Sequence, residues 1–397
     1  MACSRAVFIV AAKRTPFGTF GGKLKDTTAT TMGYMASVAA LEAGKVDPSI
    51  VDSVVFGNVI QSSTDAAYIA RHVGLRANIP IETPALTVNR LCGSSFQSIV
   101  SGAQDILLGD ASVALVGGSE SMSQAPYAVR GTRFGTKLGS EPRMEDTLWA
   151  GLTDEHIKLP MAITAENLAE MYGVTRLDCD EFAIQSQQRW ANAQEKGHFK
   201  EEIAPVTLKT RKGDQIFDVD EHPKPATTLE GLSKLPPVFK KNGTVTAGNA
   251  SGISDGACAL ILASEEACAK HNLTPLARLV SYGIAGVDPS IMGIGPAPAV
   301  RKALKAANLE LKDMALVEVN EAFAPQFLGV ARELSLDMEI TNVSGGAIAL
   351  GHPLAASGGR ITGHLVHELR RRGEKYAIGS ACIGGGQGIA VVLENIQ

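Results

Sequence analysis

The chain has 397 residues, of which 45% are hydrophobic and 20% are charged, and its formal net charge is −4. These values are ordinary for a folded globular protein and exclude a strongly basic nucleic-acid-binding protein. Because no run of about 18 apolar residues occurs, we predict no transmembrane helix. A chain this long exceeds one typical core, so we expect two or three lobes.

The cysteines and the two ends of the chain indicate in which cellular compartment the protein is expected. The six cysteines are scattered: Cys3, Cys92, Cys179, Cys258, Cys268 and Cys382. None belongs to a Cys-x-x-Cys pair, which predicts neither a metal site nor a disulfide framework and fits a reducing compartment. The apolar run at residues 6–12 is too short for a secretory signal, and the C-terminus is no peroxisomal address.

The first part of the chain predicts alternating helices and strands. Apolar residues at helical spacing indicate a helix over residues 32–40, and short apolar runs indicate strands at 54–56 and 86–88. After a loop, a helix over 96–108 and a strand at 113–116 complete the unit. The following residues read as a polar, irregular insertion.

The last part repeats this order. It predicts a helix over residues 297–307, strands at 315–319 and 340–343, a helix over 356–369 and a strand at 377–378. Repeated strand–loop–helix–strand units imply parallel sheets covered by helices. We therefore expect an α/β fold of two related lobes about a pseudo-twofold axis.

The predicted domain boundaries follow from this repeat. Residues 1–118 form the N-terminal lobe, to which part of 247–272 returns, and residues 273–397 form the C-terminal lobe. Residues 119–246, with a polar helix near 181–193, form a loop domain folded over both lobes.

Several side chains in the predicted loops have the chemistry of a reactive site. Cys92 precedes a helix, where the positive end of the helix dipole is expected to lower its pKa, although a free cysteine is more often a small core residue. His352 lies between Gly351 and Pro353, and Cys382 precedes a run of glycines; either could instead be structural. Asn320 directly follows a predicted strand, at the usual site position in parallel sheets.

Taken together, these motifs resemble the thiolase family. The matching segments are residues 89–95, 320–323, 351–353 and 382–386, in the family's order and spacing, and the resemblance covers essentially the whole chain. It implies a thiolase fold of two duplicated five-layered α/β lobes with an inserted loop domain. Within the family, residues 185–190 and 235–240 make the chain most similar to the mitochondrial thiolases of fatty-acid β-oxidation.

The resemblance also implies an acetyl-CoA C-acyltransferase activity. Cys92 would attack the 3-keto carbon of a 3-ketoacyl-CoA, His352 would activate the thiolate, and Cys382 would exchange protons with acetyl-CoA and CoA. One oxyanion hole would use His352 and a water held by Asn320, and the other the backbone N–H groups of Cys92 and Gly384. The mechanism needs no metal or bound cofactor, since CoA is a co-substrate.

Binding contacts come from the same resemblance. Ser251 would touch the pantetheine of CoA, and Lys224 and Thr227 would lie near its nucleotide, although Lys224 could also be a solvated surface charge. The chain departs from the family at Ser95 and Ala355, where glycine is common. These departures bear on the acyl pocket more than on the reaction type.

The resemblance extends to assembly and compartment. Arg130, Arg133, Lys137 and Arg143 lie where some members carry a tetramerisation loop, so we expect a homotetramer, a dimer of dimers. A mitochondrial matrix location is expected, with the cytoplasm as the alternative. Three alternative functions are an acetoacetyl-CoA-forming thiolase, an acyl-CoA hydrolase and a non-catalytic lipid carrier.

Overall fold

The computed structural model describes residues 6–211 and 213–396, so Cys3 lies outside the described residues. Within these ranges, no helix combines the length and the apolar character needed to cross a membrane.

The strands are β1 Val7–Arg14, β2 Gly18–Thr19, β3 Ser53–Gly57, β4 Ala85–Val88, β5 Val113–Ser121, β6 Tyr127–Val129, β7 Met144–Asp146, β8 Thr153–Asp154, β9 Leu159–Pro160, β10 Val206–Thr210, β11 Gly213–Phe217, β12 Ser254–Ser264, β13 Ala277–Gly286, β14 Leu316–Val319, β15 Tyr376–Ile383 and β16 Gln387–Asn395. The helices are α1 Ala29–Gly44, α2 Ile69–Arg76, α3 Ser94–Leu108, α4 Thr147–Gly151, α5 Met161–Tyr172, α6 Arg176–Glu195, α7 Leu229–Ser233, α8 Glu265–His271, α9 Pro296–Ala307, α10 Ala324–Leu334, α11 Ala347–Leu350 and α12 Ser357–Arg372.

The main sheet shows the predicted repeat. Its order is β14-β15-β16-β13-β1-β12-β5-β3-β4, with β2 paired to β12. The β3 pairings with β4 and β5, and the β14 pairing with β15, are parallel. The expectation of parallel sheets holds only for these pairings, because β12, β1, β13 and β16 pair antiparallel. The tight turn between β15 and β16 leaves no room for the crossover that a parallel pairing requires.

The helices form layers against the two halves of this sheet. One apolar core joins α1 and α2 to the outer face of the first half, and another joins α9 and α10 to the outer face of the second. A third core lies between the halves and contains Phe96 of α3 and Ile361 of α12. The result is a helix–sheet–helix–sheet–helix arrangement in which α3 and α12 form the shared central layer.

Residues 340–343 do not form the predicted strand, so that prediction is wrong. The backbone makes only an isolated bridge between Thr341 and Val317, because Asn342 adopts a left-handed conformation (φ 48°) that interrupts the extended chain. After the inserted region, β12 pairs with β1 and β5. The domain boundaries themselves stay a prediction.

Candidate active site

The loop before α3 holds Cys92 in a single 3-10 turn, Leu91–Gly93. Leu91 adopts a left-handed backbone conformation (φ 46°), and its N–H donates to Asn89 Oδ1 at 2.9 Å. Gly93 has no room for a side chain, since a Cβ there would lie 2.6 Å from Ile383 Cδ1. These contacts fix the Cys92 backbone at the start of α3, against the end of β15.

The surroundings of the Cys92 sulfur set its resting state. The backbone N–H groups of Gly384 and of Cys92 itself reach the sulfur and favour the thiolate, but loss of hydration outweighs them and raises the pKa of the thiol to about 11. The negative charge of Glu120 adds to the rise. The expected lowering of this pKa is not found, because loss of hydration outweighs the two backbone N–H groups that favour the thiolate.

His352 follows α11 and is buried. Its Nδ1 lies 2.5 Å from Ser357 Oγ, and the Ser357 hydroxyl donates to the Pro353 carbonyl at 3.0 Å. The Ser357 oxygen must therefore accept a proton from Nδ1, which leaves the Nε2 lone pair available. Burial, with the nearby Arg360 guanidinium, lowers the pKa of His352 to about 3, so the imidazole is neutral at rest.

Cys382 lies near the end of β15 and is fully buried against Met292 and Ala322. Burial, followed by the neighbouring Cys92, raises the pKa of its thiol far above the ordinary range. The turn that follows contains Gly385 (φ 77°) and Gly386 (φ 83°), positions that favour glycine. This turn carries the Gly384 N–H to the Cys92 sulfur.

Asn320 follows β14 and is fully buried. Its Nδ2 lies 3.4 Å from His352 Nε2, and its Oδ1 has no protein partner. The adjacent Glu321 accepts hydrogen bonds from Ser186, Asn342 and the Ile348 N–H, which ties the Asn320 segment to the start of the His352 loop. Asn320 thus presents an amide directly beside the imidazole.

A predominantly apolar pocket of about 180 Å³ opens over Cys92 and His352. Ser251 also lines it, and its N–H donates to the Ala322 carbonyl at 3.0 Å. Trp149 and Phe239 stack with ring centroids 6.0 Å apart and form part of the wall. The other lining residues are Met122, Leu152, Thr153, Pro160, Met161, Ala162, Ala250, Gly252, Ile253, Met292, Ala322, Phe323 and Leu354.

The structure does not bring every predicted residue to this pocket. Lys224 is exposed and Thr227 is half-buried, and neither belongs to the described pocket wall. The Thr227 hydroxyl donates to the Lys224 carbonyl at 2.6 Å, so the two share one turn outside the pocket. In residues 6–211 and 213–396 no group of three or more His, Cys, Asp or Glu side chains is arranged to hold a metal ion.

Sequence reasoning missed Ser357, which orients His352, and Glu120, whose carboxylate lies near Cys92. Glu120 was overlooked because the strand was expected to end at residue 116, whereas β5 continues to Ser121. A charged residue inside an apolar, glycine-containing strand was the available signal. The sequence around Ser357 carries no comparable signal, because its contact with His352 Nδ1 depends on how the His352 loop folds.

Comparison with known proteins agrees with this geometry. Residues 7–266 match the family model for the thiolase N-terminal domain, and residues 273–395 match the thiolase C-terminal domain. The chain is 69% identical to mitochondrial 3-ketoacyl-CoA thiolase of Bos taurus and 67% identical to that of Homo sapiens, over 100% of both chains in each case.

Solved structures give the same result. The crystal structure of human mitochondrial 3-ketoacyl-CoA thiolase superimposes with a TM-score of 0.98 at 66% identity, over 100% of both chains, and so does its complex with CoA. The acetyl-CoA acetyltransferase of Bacillus anthracis gives a TM-score of 0.96 at 45% identity, again over 100% of both chains. The predicted thiolase fold is confirmed, and the chain belongs to the thiolase family.

Proposed function

We propose that this chain is a 3-ketoacyl-CoA thiolase of fatty-acid β-oxidation, which uses CoA to cleave 3-ketoacyl-CoA into acetyl-CoA and a shortened acyl-CoA. The observation that carries the proposal is the convergence of Cys92 and His352 on one apolar pocket, with the Cys382 thiol buried beside them. The full-length identity to mitochondrial 3-ketoacyl-CoA thiolases supports the substrate class.

In the first half-reaction, Cys92 Sγ attacks the 3-keto carbon while its proton passes to His352 Nε2. The neutral resting states of both side chains suit this transfer, because His352 Nε2 carries a lone pair that meets only a long 3.4 Å contact from Asn320 Nδ2, and the thiol retains its proton until substrate arrives. The substrate oxygen becomes an oxyanion. Fixed donors beside the reacting carbon stabilise that charge without reorganising.

The C2–C3 bond then breaks, and its electron pair enters the thioester of the leaving acetyl-CoA as an enolate. Cys382 donates a proton to C2 of that enolate and becomes a thiolate. The raised pKa of Cys382 fits this role, since the residue must hold a proton at rest in order to donate it. Acetyl-CoA leaves, and the shortened acyl group remains as a thioester on Cys92.

In the second half-reaction, Cys382 takes the proton of the incoming CoA thiol. The CoA sulfur attacks the acyl–Cys92 carbonyl, and the new thioester forms as the bond to Cys92 breaks. His352 Nε2 then returns its proton to the departing Cys92 sulfur, which restores the neutral resting pair. The N–H groups of Cys92 and Gly384 already converge on the Cys92 sulfur, so we assign them as donors to the oxyanion of this step. The first-step oxyanion is assigned to His352 and a water held by Asn320.

The CoA contacts are part of the proposal. A solved human relative is a complex with CoA, which supports a CoA site in this chain. Ser251, on the pocket wall, is assigned to the pantetheine. Lys224 and Thr227, on an exposed turn outside the pocket, are assigned to the nucleotide end, where a cation and a hydroxyl can meet phosphate.

We further infer a homotetramer in the mitochondrial matrix. The β6–β7 hairpin leaves Phe134 and Leu138 almost fully exposed, and an isolated molecule rarely presents such residues on one projecting loop. Arg130 pairs with Glu145 across the hairpin and stiffens its base. The mitochondrial names of the relatives at 67–69% identity support the compartment.

The proposal is tested with purified protein, free CoA and 3-ketoacyl-CoA substrates of increasing chain length. Turnover on medium and long chains supports the β-oxidation assignment. Activity confined to the four-carbon substrate would move it to acetoacetyl-CoA chemistry, which the acetyl-CoA acetyltransferase relatives at 45–47% identity represent. Release of free acid without CoA would indicate a hydrolase, and binding without any turnover a carrier.

A further inference from the structure

A buried carboxylate outside the reacting groups joins the two loops that carry Cys92 and His352. Glu120, near the end of β5, is fully buried. Its Oε1 accepts from Asn58 Nδ2 at 3.2 Å and from the Ile60 N–H at 3.0 Å. Its Oε2 accepts from the Val59 N–H at 3.2 Å and from the Ala355 N–H at 3.1 Å. Both oxygens are therefore engaged by donors from two separate loops.

One of these loops leads to the nucleophile. Residues 58–60 follow β3, and the Val59 carbonyl accepts from Asn89 Nδ2 at 3.2 Å. Asn89 in turn accepts the Leu91 N–H, next to Cys92. A continuous chain of hydrogen bonds thus runs from Glu120 through Val59 and Asn89 to the Cys92 turn.

The other loop carries the base. Ala355 lies three residues after His352, and its backbone packs directly on β5, where a Cβ at Gly118 would lie 1.9 Å from the Ala355 carbonyl oxygen. Gly118 allows this close approach, and Glu120 holds the adjacent Ala355 N–H. The His352 loop is therefore anchored to the same strand as the Cys92 loop.

We propose that Glu120 is a positioning residue for thiolysis, whose carboxylate sets the separation of Cys92 and His352 by binding the two loops at once. This inference rests on the proposed function. A carboxylate suits the position because each of its oxygens accepts two hydrogen bonds, whereas an amide of the same shape would turn an NH₂ group toward one pair of donors. Burial raises the pKa of Glu120 to about 8, so the carboxylate is charged in the more alkaline range in which Cys92 titrates, and there its charge opposes formation of the Cys92 thiolate.

The experiment compares wild type with Glu120→Gln in the full-length assembled enzyme. With acetoacetyl-CoA and CoA as substrates, kcat is expected to fall by about 10–100-fold, while the KM for CoA is almost unchanged, because a displaced reacting pair costs rate rather than binding. The pH midpoint of Cys92 alkylation by iodoacetamide is expected to move to lower pH, since the opposing charge is gone. Loss of a merely structural contact would not shift that midpoint.

Glu368→Gln is the matched control. Glu368 is also a buried carboxylate, but it lies on α12 with Arg371 and Arg372 as partners. The Glu368→Gln variant should be less stable than wild type but should keep the wild-type kcat and the wild-type pH midpoint of Cys92 alkylation. Wild-type kcat in folded Glu120→Gln, or an equal loss of kcat in Glu368→Gln, would overturn the proposal.

If Glu120→Gln does not fold, Asn58→Ala decides the matter, since it removes one donor and leaves the carboxylate in place. A reduced kcat with an unchanged KM is expected, and an unchanged kcat overturns the proposal. If wild type shows no thiolysis at all, the proposed function fails separately. The shift of the alkylation midpoint then still tests whether Glu120 acts on Cys92.

Discussion

Cys92 and His352 have resting protonation states that are set by burial. The pKa of the thiol rises and that of the imidazole falls, so the pair facing the pocket is neutral. An exposed thiolate–imidazolium pair would react with any electrophile. In a neutral pair, the cysteine becomes nucleophilic only when its sulfur attacks the bound substrate and its proton passes to the histidine. Loss of hydration at the half-buried Cys92 and the buried His352 therefore favours selectivity over standing reactivity.

Alkylation of Cys92 by iodoacetamide in the absence of substrate should report this state. Only the thiolate reacts, and a pKa raised to about 11 places its formation at higher pH than in free cysteine. The rate is expected to keep rising above pH 9, as measured by mass spectrometry of the Cys92 peptide. A plateau reached below pH 8 would show that the resting residue is already a thiolate.

Ser357→Ala tests the orientation of His352. The substitution removes the acceptor for Nδ1–H, so the imidazole can turn or change tautomer, and kcat should fall by about 10–100-fold, as for other supporting hydrogen bonds around functional histidines. Ser37→Ala, which removes a fully buried hydroxyl from α1, is the control and should retain its kcat. Equal kcat values for the two variants would remove Ser357 from the mechanism.

At the scale of elements, α12 begins in an unusual way. Its N-cap residue is Ala356, which provides no side-chain acceptor, and Ser95 Oγ on α3 instead accepts the Gly359 N–H at 2.7 Å. Ser95 is one of the two positions at which the resemblance leads us to expect glycine instead. Here the departure supplies a cap from a neighbouring helix and joins the two central helices.

Ser95→Ala should therefore destabilise the protein by about 1 kcal/mol, the usual contribution of an N-cap hydroxyl. Thermal unfolding should show a lower midpoint than wild type, and Ser233→Ala, an exposed helix hydroxyl, should show almost none of this loss. A midpoint equal to wild type in Ser95→Ala would mean that solvent or a rearranged turn satisfies the Gly359 N–H equally well.

Local patterns predicted α3, α9 and α12, which carry clear helical periodicity, and the parallel strands β3, β4, β5, β14 and β15, which are short apolar runs. They failed where long-range pairing decides the structure. Residues 340–343 resemble a strand but find only a single bridge, and β5 runs past its apolar core through Gly117 and Gly118 because it pairs with β12 as far as Ser121. The catalytic roles came from the family motifs. Glu120 and Ser357 act through contacts between loops that no local pattern encodes.

For the whole molecule, we propose that assembly uses the projecting β6–β7 hairpin, whose tip is exposed and apolar. Phe134→Asp combined with Leu138→Asp places charge on its exposed apolar tip and should reduce a tetramer to a dimer, measured by light scattering. Thiolysis should persist, since neither residue lines the described pocket. A wild-type protein that is already dimeric, or a double variant that stays tetrameric, would contradict this role for the hairpin.

The central claim is that Cys92 carries the acyl group between two half-reactions, and mass spectrometry tests it most directly. The enzyme is mixed with a 3-ketoacyl-CoA in the absence of free CoA, quenched in acid and digested. The account predicts the shortened acyl chain on the Cys92 peptide, its loss on addition of CoA, and no adduct in Cys92→Ala. An acyl group on Cys382 instead, or product formation with no adduct on Cys92, would contradict it.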